Sequence, residues 1–170
     1  MKFETQQKAL ESALENLENS ELHRPVQSPE EELWMRIGRD LRGVICTLHR
    51  DLLFELVKNA DFKQLSNIIT RQNLSEYQVV WYYQKPLKEL SLKEVMEGIV
   101  LTTRMANWFD IVNYTDDNDH YTLKGNHSAG SIEYSRIFIK FFETLFSAYG
   151  VRTENEISGN SIFIKVFKNL

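Results

Sequence analysis

The sequence predicts an α+β domain in which N-terminal helices precede a hairpin, an amphipathic helix and a second hairpin, the hairpins together forming a small antiparallel sheet. Three observations between Ser131 and Leu170 carry this. First, Tyr134, Ile137, Phe138, Phe141, Phe142, Leu145, Phe146 and Tyr149 recur at three- and four-residue steps, an apolar stripe at the helical period. Second, Gly150 follows the stripe, where a left-handed residue commonly ends a helix because a Cβ there is costly. Third, Val151–Ile157 and Ile162–Phe167 read as strands around Ser158-Gly159-Asn160-Ser161, with Gly-Asn suited to a two-residue primed turn at positive φ. Ile162, Ile164 and Val166 alternate with Phe163 and Phe167, so the last strand is apolar on both faces and is expected to be covered on both.

The preceding elements follow in order. Phe3, Leu10 and Leu17 repeat every seventh residue over 2–19, a heptad-like helix too brief to stand alone, which either packs on its own chain or pairs with a second subunit. Residues 20–27, with Pro25, read as a linker, dividing the chain into a 1–27 appendage and a 28–170 domain. Ser28-Pro29-Glu30-Glu31 opens what the pattern makes the longest helix: a cap, a proline at the first position and a capping-box glutamate. Leu33, Trp34, Ile37, Leu41, Val44, Ile45, Leu48, Leu52, Leu56 and Val57 form its expected buried stripe. Gly38 and Gly43 within it each cost about 1 kcal/mol relative to alanine and mark close contacts or a bend. Asp61 with Gln64 starts a short helix carrying Phe62, Leu65, Ile68 and Ile69. Residues 75–84 are ambiguous, because Ser75 and Gln78 suit a helix start while Tyr77–Tyr83 is rich in strand formers. Ser91 with Glu94 caps a helix to about Trp108, and Phe109–Tyr114 with His120–Lys124 then form a hairpin around Asp116-Asp117-Asn118-Asp119.

Composition narrows the class. The chain has 170 residues, 42% apolar and 26% charged, enough for one globular domain with a real core. No apolar run is long enough to span a bilayer, and the polar start lacks the shape of a signal peptide. Cys46 is the single cysteine, so no internal disulfide forms and a reducing, cytoplasmic location is expected. A net charge of −4 argues against a broad nucleic-acid footprint.

No catalytic residue, metal site or cofactor is read from the chain. The Asp116–Asp119 cluster resembles the start of a calcium loop, yet the sixth and twelfth positions are Tyr121 and His127 rather than glycine and glutamate, leaving a solvated turn. The four histidines show no zinc spacing, and Ser128 lacks a nucleophile elbow. Gly125–Ser131 joins a strand to the amphipathic helix, and helix N-termini attract anions. Ser128 or Ser131 is the candidate cap there, with His127 as a titratable donor. Trp81, Tyr82, Phe138 and Phe142 are the candidate lining of an apolar cavity between the long helix and the C-terminal sheet, set against the plainer reading that they fill a core.

Residues 62–84 have the proportions of a helix-turn-helix around Arg71-Gln72-Asn73. A recognition helix should show cations to the major groove, whereas Glu76, Gln78, Tyr82 and Gln84 form most of this outer face. From about Leu33 to Phe167, and most clearly in the Tyr134–Tyr149 helix, the element order resembles the small-molecule-sensing domains of the vinyl-reductase type and their vesicle-tethering relatives. That resemblance implies helices that dimerise. The cysteines that many vinyl-reductase-type domains carry are missing near the end of this chain, so no metal or thiol sensing and no functional residue carries over. The expected function is a non-enzymatic regulatory module, dimeric, binding a small apolar ligand or a protein partner and no membrane. The alternative is a DNA-binding regulator using 62–84.

Overall fold

A computed structural model describes residues 8, 10, 11, 14, 28–42 and 46–168. The chain divides into two units, Met1–Cys46 and Thr47–Leu170. In the first, α1 (Pro29–Asp40) starts as its residues dictate: Ser28 Oγ accepts from the Glu31 amide at 3.2 Å, and the Glu31 carboxylate accepts from the Ser28 amide at 2.9 Å. Leu33 and Leu41 are buried while Trp34 and Met35 are exposed. The heptad-like helix expected over 2–19 falls mostly outside the described residues, of which Lys8, Leu10, Glu11 and Leu14 are helical; the linker over 20–27 lies wholly outside them.

One expectation is corrected here. The apolar stripe from Leu33 to Val57 does not form a single helix. The chain leaves helical geometry at Leu41 (φ −112°, ψ 8°), and α2 (Arg50–Lys58) starts anew after His49 in extended geometry. Gly38 is accommodated inside α1, and residues 46–49, which lead into α2, are not helical, a break that the spacing of apolar residues does not register. The inward face shifts as well: Leu53, Phe54 and Val57 pack toward the core, leaving Leu48, Leu52 and Leu56 about half exposed.

Asp61 Oδ1 accepts from the amides of Lys63 and Gln64 and so caps α3 (Phe62–Gln72). Asn73 adopts the left-handed region (φ 43°), and α4 (Leu74–Tyr83) follows at once, settling the ambiguous stretch as helix. Gln84 (φ 54°) and Pro86 end it, and a 3₁₀ turn over Leu87–Glu89 leads to Ser91, whose capping box with Glu94 opens α5 (Leu92–Met105). Among the described residues no helix is long and apolar enough to cross a membrane.

The sheet comprises β1 (Ile111–Asp116), β2 (His120–Asn126), β3 (Thr153–Ile157) and β4 (Ser161–Phe167), antiparallel throughout in the order β1-β2-β4-β3. Tyr121↔Val166, Leu123↔Ile164 and Gly125↔Ile162 share one face, which is buried. On the other, Phe163 and Phe167 are screened by cations: Lys124 Nζ lies 5.8 Å from the Phe163 ring, and the Arg152 guanidinium 3.7 Å from the Phe167 ring. No second layer of described residues covers Phe163, which stays partly exposed.

Between the two hairpins runs α6 (Ile132–Tyr149), ended by Gly150 at φ 97° as the sequence requires. It packs on α2, α3 and α4 and also on β3 and β4, so α6, rather than the helix opened at Ser28, is the spine of this unit. Tyr134, Phe142, Leu145 and Phe146 on it are fully enclosed, each worth about 1.5–3 kcal/mol of apolar burial. The β3–β4 turn also departs from expectation. Positive φ is found at neither Gly159 nor Asn160, so it is not a primed turn. Hydroxyls hold it instead: Ser158 Oγ accepts from the Asn160 amide at 3.2 Å and meets Ser161 Oγ at 2.7 Å.

Candidate functional site

Helix α4 is apolar around nearly its whole circumference, with Glu76 its one charged residue. Its inner side is accounted for by packing: Val79 is buried, and Ser75 Oγ donates to the Phe141 carbonyl at 2.6 Å, tying α4 to α6. Its outer side is not. Leu74 and Tyr77 are exposed, and Trp81 is half-buried one turn further on. An apolar helix normally lies under other elements on every side. Here the chain turns away at Gln84, and Pro86 and Leu87 join Val80, Trp81 and Ala148 in lining an open groove of about 720 Å³. Its charged lining residues are Glu76, Lys85 and Lys88. The Lys88 ammonium donates to the Tyr149 carbonyl and lies 5.7 Å from the Tyr149 ring, which holds that side chain in place.

Of the four expected lining residues, the structure puts only Trp81 on this groove. Tyr82 packs edge-on against Tyr83 at 4.8 Å. Phe138 and Phe142 belong to a closed aromatic cluster with Trp108, Phe109, Tyr134 and Phe141, where Phe109 and Phe138 lie 4.9 Å apart. These two fill a core, and the four do not share a cavity.

The other candidate trio separates by role. Ser131 is the cap of α6, accepting from the Tyr134 amide at 3.3 Å, while Ser128 is exposed outside the helix. Glu133 occupies the same helix end: its own amide, then the Ser131 hydroxyl, hold its carboxyl below the usual range. The N-terminus of α6 thus already receives an anion from within the chain. His127 is buried at 3% exposure, with Nε2 2.8 Å from Ser135 Oγ. Ser135 Oγ donates to the Ser158 carbonyl at 2.6 Å. A hydroxyl has one proton, and a carbonyl can only accept, so His127 must be the donor to Ser135. This hydrogen-bond direction is opposite to that of a base activating a nucleophilic serine.

The acidic turn is tied up by hydrogen bonds within the chain. Lys168 Nζ donates to Asp116 Oδ1 and the Asp117 carbonyl, Thr122 Oγ1 donates to Asp117 at 3.1 Å, and His120 Nδ1 lies 2.7 Å from Asp119. No group of three or more His, Cys, Asp or Glu side chains is placed to hold a metal ion among the described residues. For the nucleic-acid reading, α3 and α4 are joined by the single residue Asn73, tighter than the usual turn of that motif, and α4 carries no lysine or arginine.

With the geometry established, two comparisons bear on the chain. Residues 45–167 match the family model described as AF_0136_C, family C-terminal domain, a span that takes in every element from α2 to β4. No curated protein matches it.

Proposed function

We propose that this chain, which belongs to the AF_0136_C family through its C-terminal domain, is a non-enzymatic regulatory module that binds an apolar segment of a protein partner along the outer side of α4. The observation that carries this is the exposed pair Leu74 and Tyr77, beside a groove lined by Tyr77, Val80, Leu87 and half-buried Trp81. Small-molecule sites enclose most of their ligand, whereas this groove is open along its length, which favours a peptide or helix over a compact ligand. Trp and Tyr supply large contact area at small entropic cost and dominate the binding energy of interfaces.

The test is selection of displayed peptides on the immobilised full chain, followed by titration of the enriched sequences. Apolar-anchored peptides are expected, and Trp81→Ala should weaken them by roughly 30-fold, the loss typical of a central aromatic anchor. Enriched peptides that bind the variant as well as the wild type would move the site elsewhere. A compact apolar ligand that competes for Trp81 would restore the small-molecule reading.

The reading includes two copies per particle, as the sensor-domain resemblance implies. Leu10 and Leu14 support it, because both are helical and more than half exposed. Light scattering on the full chain should give twice the chain mass, and a version starting at Ser28 should give the chain mass. Equal masses for both would remove the N-terminal helix from assembly. The alternative, DNA binding through 62–84, is opposed both by the one-residue α3–α4 junction and by the absence of cations on α4.

A further inference from the structure

Away from the groove, three parts of the chain meet at one imidazole. His127 lies in the β2–α6 connection, Ser135 in the first turns of α6, and Ser158 at the start of the β3–β4 turn. The side chains form a relay in which His127 Nε2–H donates to Ser135 Oγ and Ser135 donates to the Ser158 carbonyl. A backbone bond runs alongside, from the His127 amide to the Asn160 carbonyl at 2.9 Å. The direction forced on this relay puts a proton on Nε2, so the neutral ring here is the Nε2–H form. Its other nitrogen, Nδ1, then carries a bare lone pair, and Nδ1 is buried with no hydrogen-bond partner.

From these contacts we infer that His127 is a proton-sensitive latch, holding the β3–β4 turn against α6 while neutral and releasing it when protonated. A proton can add only at Nδ1, which turns an unused acceptor into an unsatisfied cationic donor. The walls offer little compensation. The Phe109 ring lies 5.9 Å from the imidazole and the Tyr134 ring 4.7 Å, and the Tyr134 hydroxyl is committed to the Trp108 carbonyl at 2.7 Å. The charged groups facing the ring are Asp110, which favours protonation, and Arg50 from α2, which opposes it; the two are bound to each other at 2.6 Å. Burial is the largest influence and pushes His127 below its ordinary value, with Asp110 pulling upward and Arg50 downward.

The sign follows from linkage. In the released state the ring meets water and titrates near its ordinary value of about 6.5. Between that value and the lower latched one, the released state binds more protons. Release is therefore favoured by up to about tenfold for each pH unit between about 6.5 and the lower latched value, and is independent of pH well above about 6.5.

Hydrogen exchange on the full chain tests this, with rates corrected for the intrinsic pH dependence of exchange. Protection of the His127 and Ser158 amides should fall by up to about fivefold between pH 6.5 and 5.5 in the wild type and stay level in His127→Gln, which can still donate to Ser135 but cannot titrate there. The same slope in the variant would overturn the latch. A second readout needs no variant: ring ¹⁵N spectra of the wild type should show the Nε2–H form and a titration below the ordinary value. A proton on Nδ1 at neutral pH, or an unshifted titration, would overturn it equally.

Discussion

Phe142→Ala is expected to lower the free energy of unfolding by about 3–5 kcal/mol, the range for deleting a buried aromatic ring. Stabilities of ordinary domains are only about 5–15 kcal/mol, so the variant should stand close to unfolding at physiological temperature. The ring is fully enclosed in the structure, with Phe141 at 5.7 Å and Phe138 and Phe109 at 6.4 and 6.5 Å. These neighbours are carried by α6 and by the approach to β1, and they cannot close over the space without dragging the elements that hold them. Urea unfolding of the two proteins under one set of conditions measures the difference. A loss below about 1 kcal/mol would mean that the aromatic cluster collapses freely and that α6 is not rigidly seated.

The second large effect is expected at a position with no side chain. A Cβ built on Gly125 would lie 2.8 Å from two atoms of the Phe109 ring and 3.1 Å from Ile162 Cγ1. Glycine within a strand is otherwise unfavourable, so its presence in β2 reflects this close approach. Phe109 has little freedom to yield, since it is buried and packed on Phe138 and beside His127. Gly125→Val should therefore destabilise by on the order of 3 kcal/mol, at the upper end for overpacking. Combining it with Phe109→Leu should cost less than the separate losses added together, because the smaller side chain vacates the contested space. Thermal unfolding of the single and double variants reads this. Strict additivity would show that the ring and the glycine are not in conflict.

What the residues declared on their own was mostly local chemistry. Ser28 with Glu31, Asp61 with Gln64 and Ser91 with Glu94 each announced a helix start, and each forms. Gly150 announced an end for the same reason, a backbone angle that other residues resist. Periodicity was less discriminating. It ran on from Leu33 to Val57 across a break, because leucines at helical steps look alike on either side of an interruption. It also left 77–83 open: aromatic and β-branched residues suit a strand, and the helix is decided by contacts such as Ser75 to the Phe141 carbonyl, which lie far apart in sequence.

The candidate site shows the same division. Trp81 was legible as an aromatic in want of a role, but whether it faces a groove or a core depends on where Pro86 and Leu87 turn. Phe138 and Phe142 carried the same sequence signal and lie on the core side. Ser135 carried no signal, being a small polar residue beside an apolar stripe. Its importance comes from His127 and Ser158 converging on it, and nothing in the spacing of those residues foretells that meeting.

The strand order has a consequence for how the protein is made. β2 lies in the middle of the sheet, yet one of its two neighbours is β4, which follows it in the chain only after α6 and β3. On a ribosome, β2 emerges with one edge bare, and the apolar inner sides of α2, α3 and α4 emerge before the helix on which they rest. α4 can pack early on α5, which follows it in the chain, but the faces of α2, α3 and α4 that rest on α6 wait for that later helix. Folding of this unit therefore waits for β4 and is comparatively slow. The nascent chain carries open strand edges and apolar faces until β4 arrives, the interval in which a chaperone has most to do.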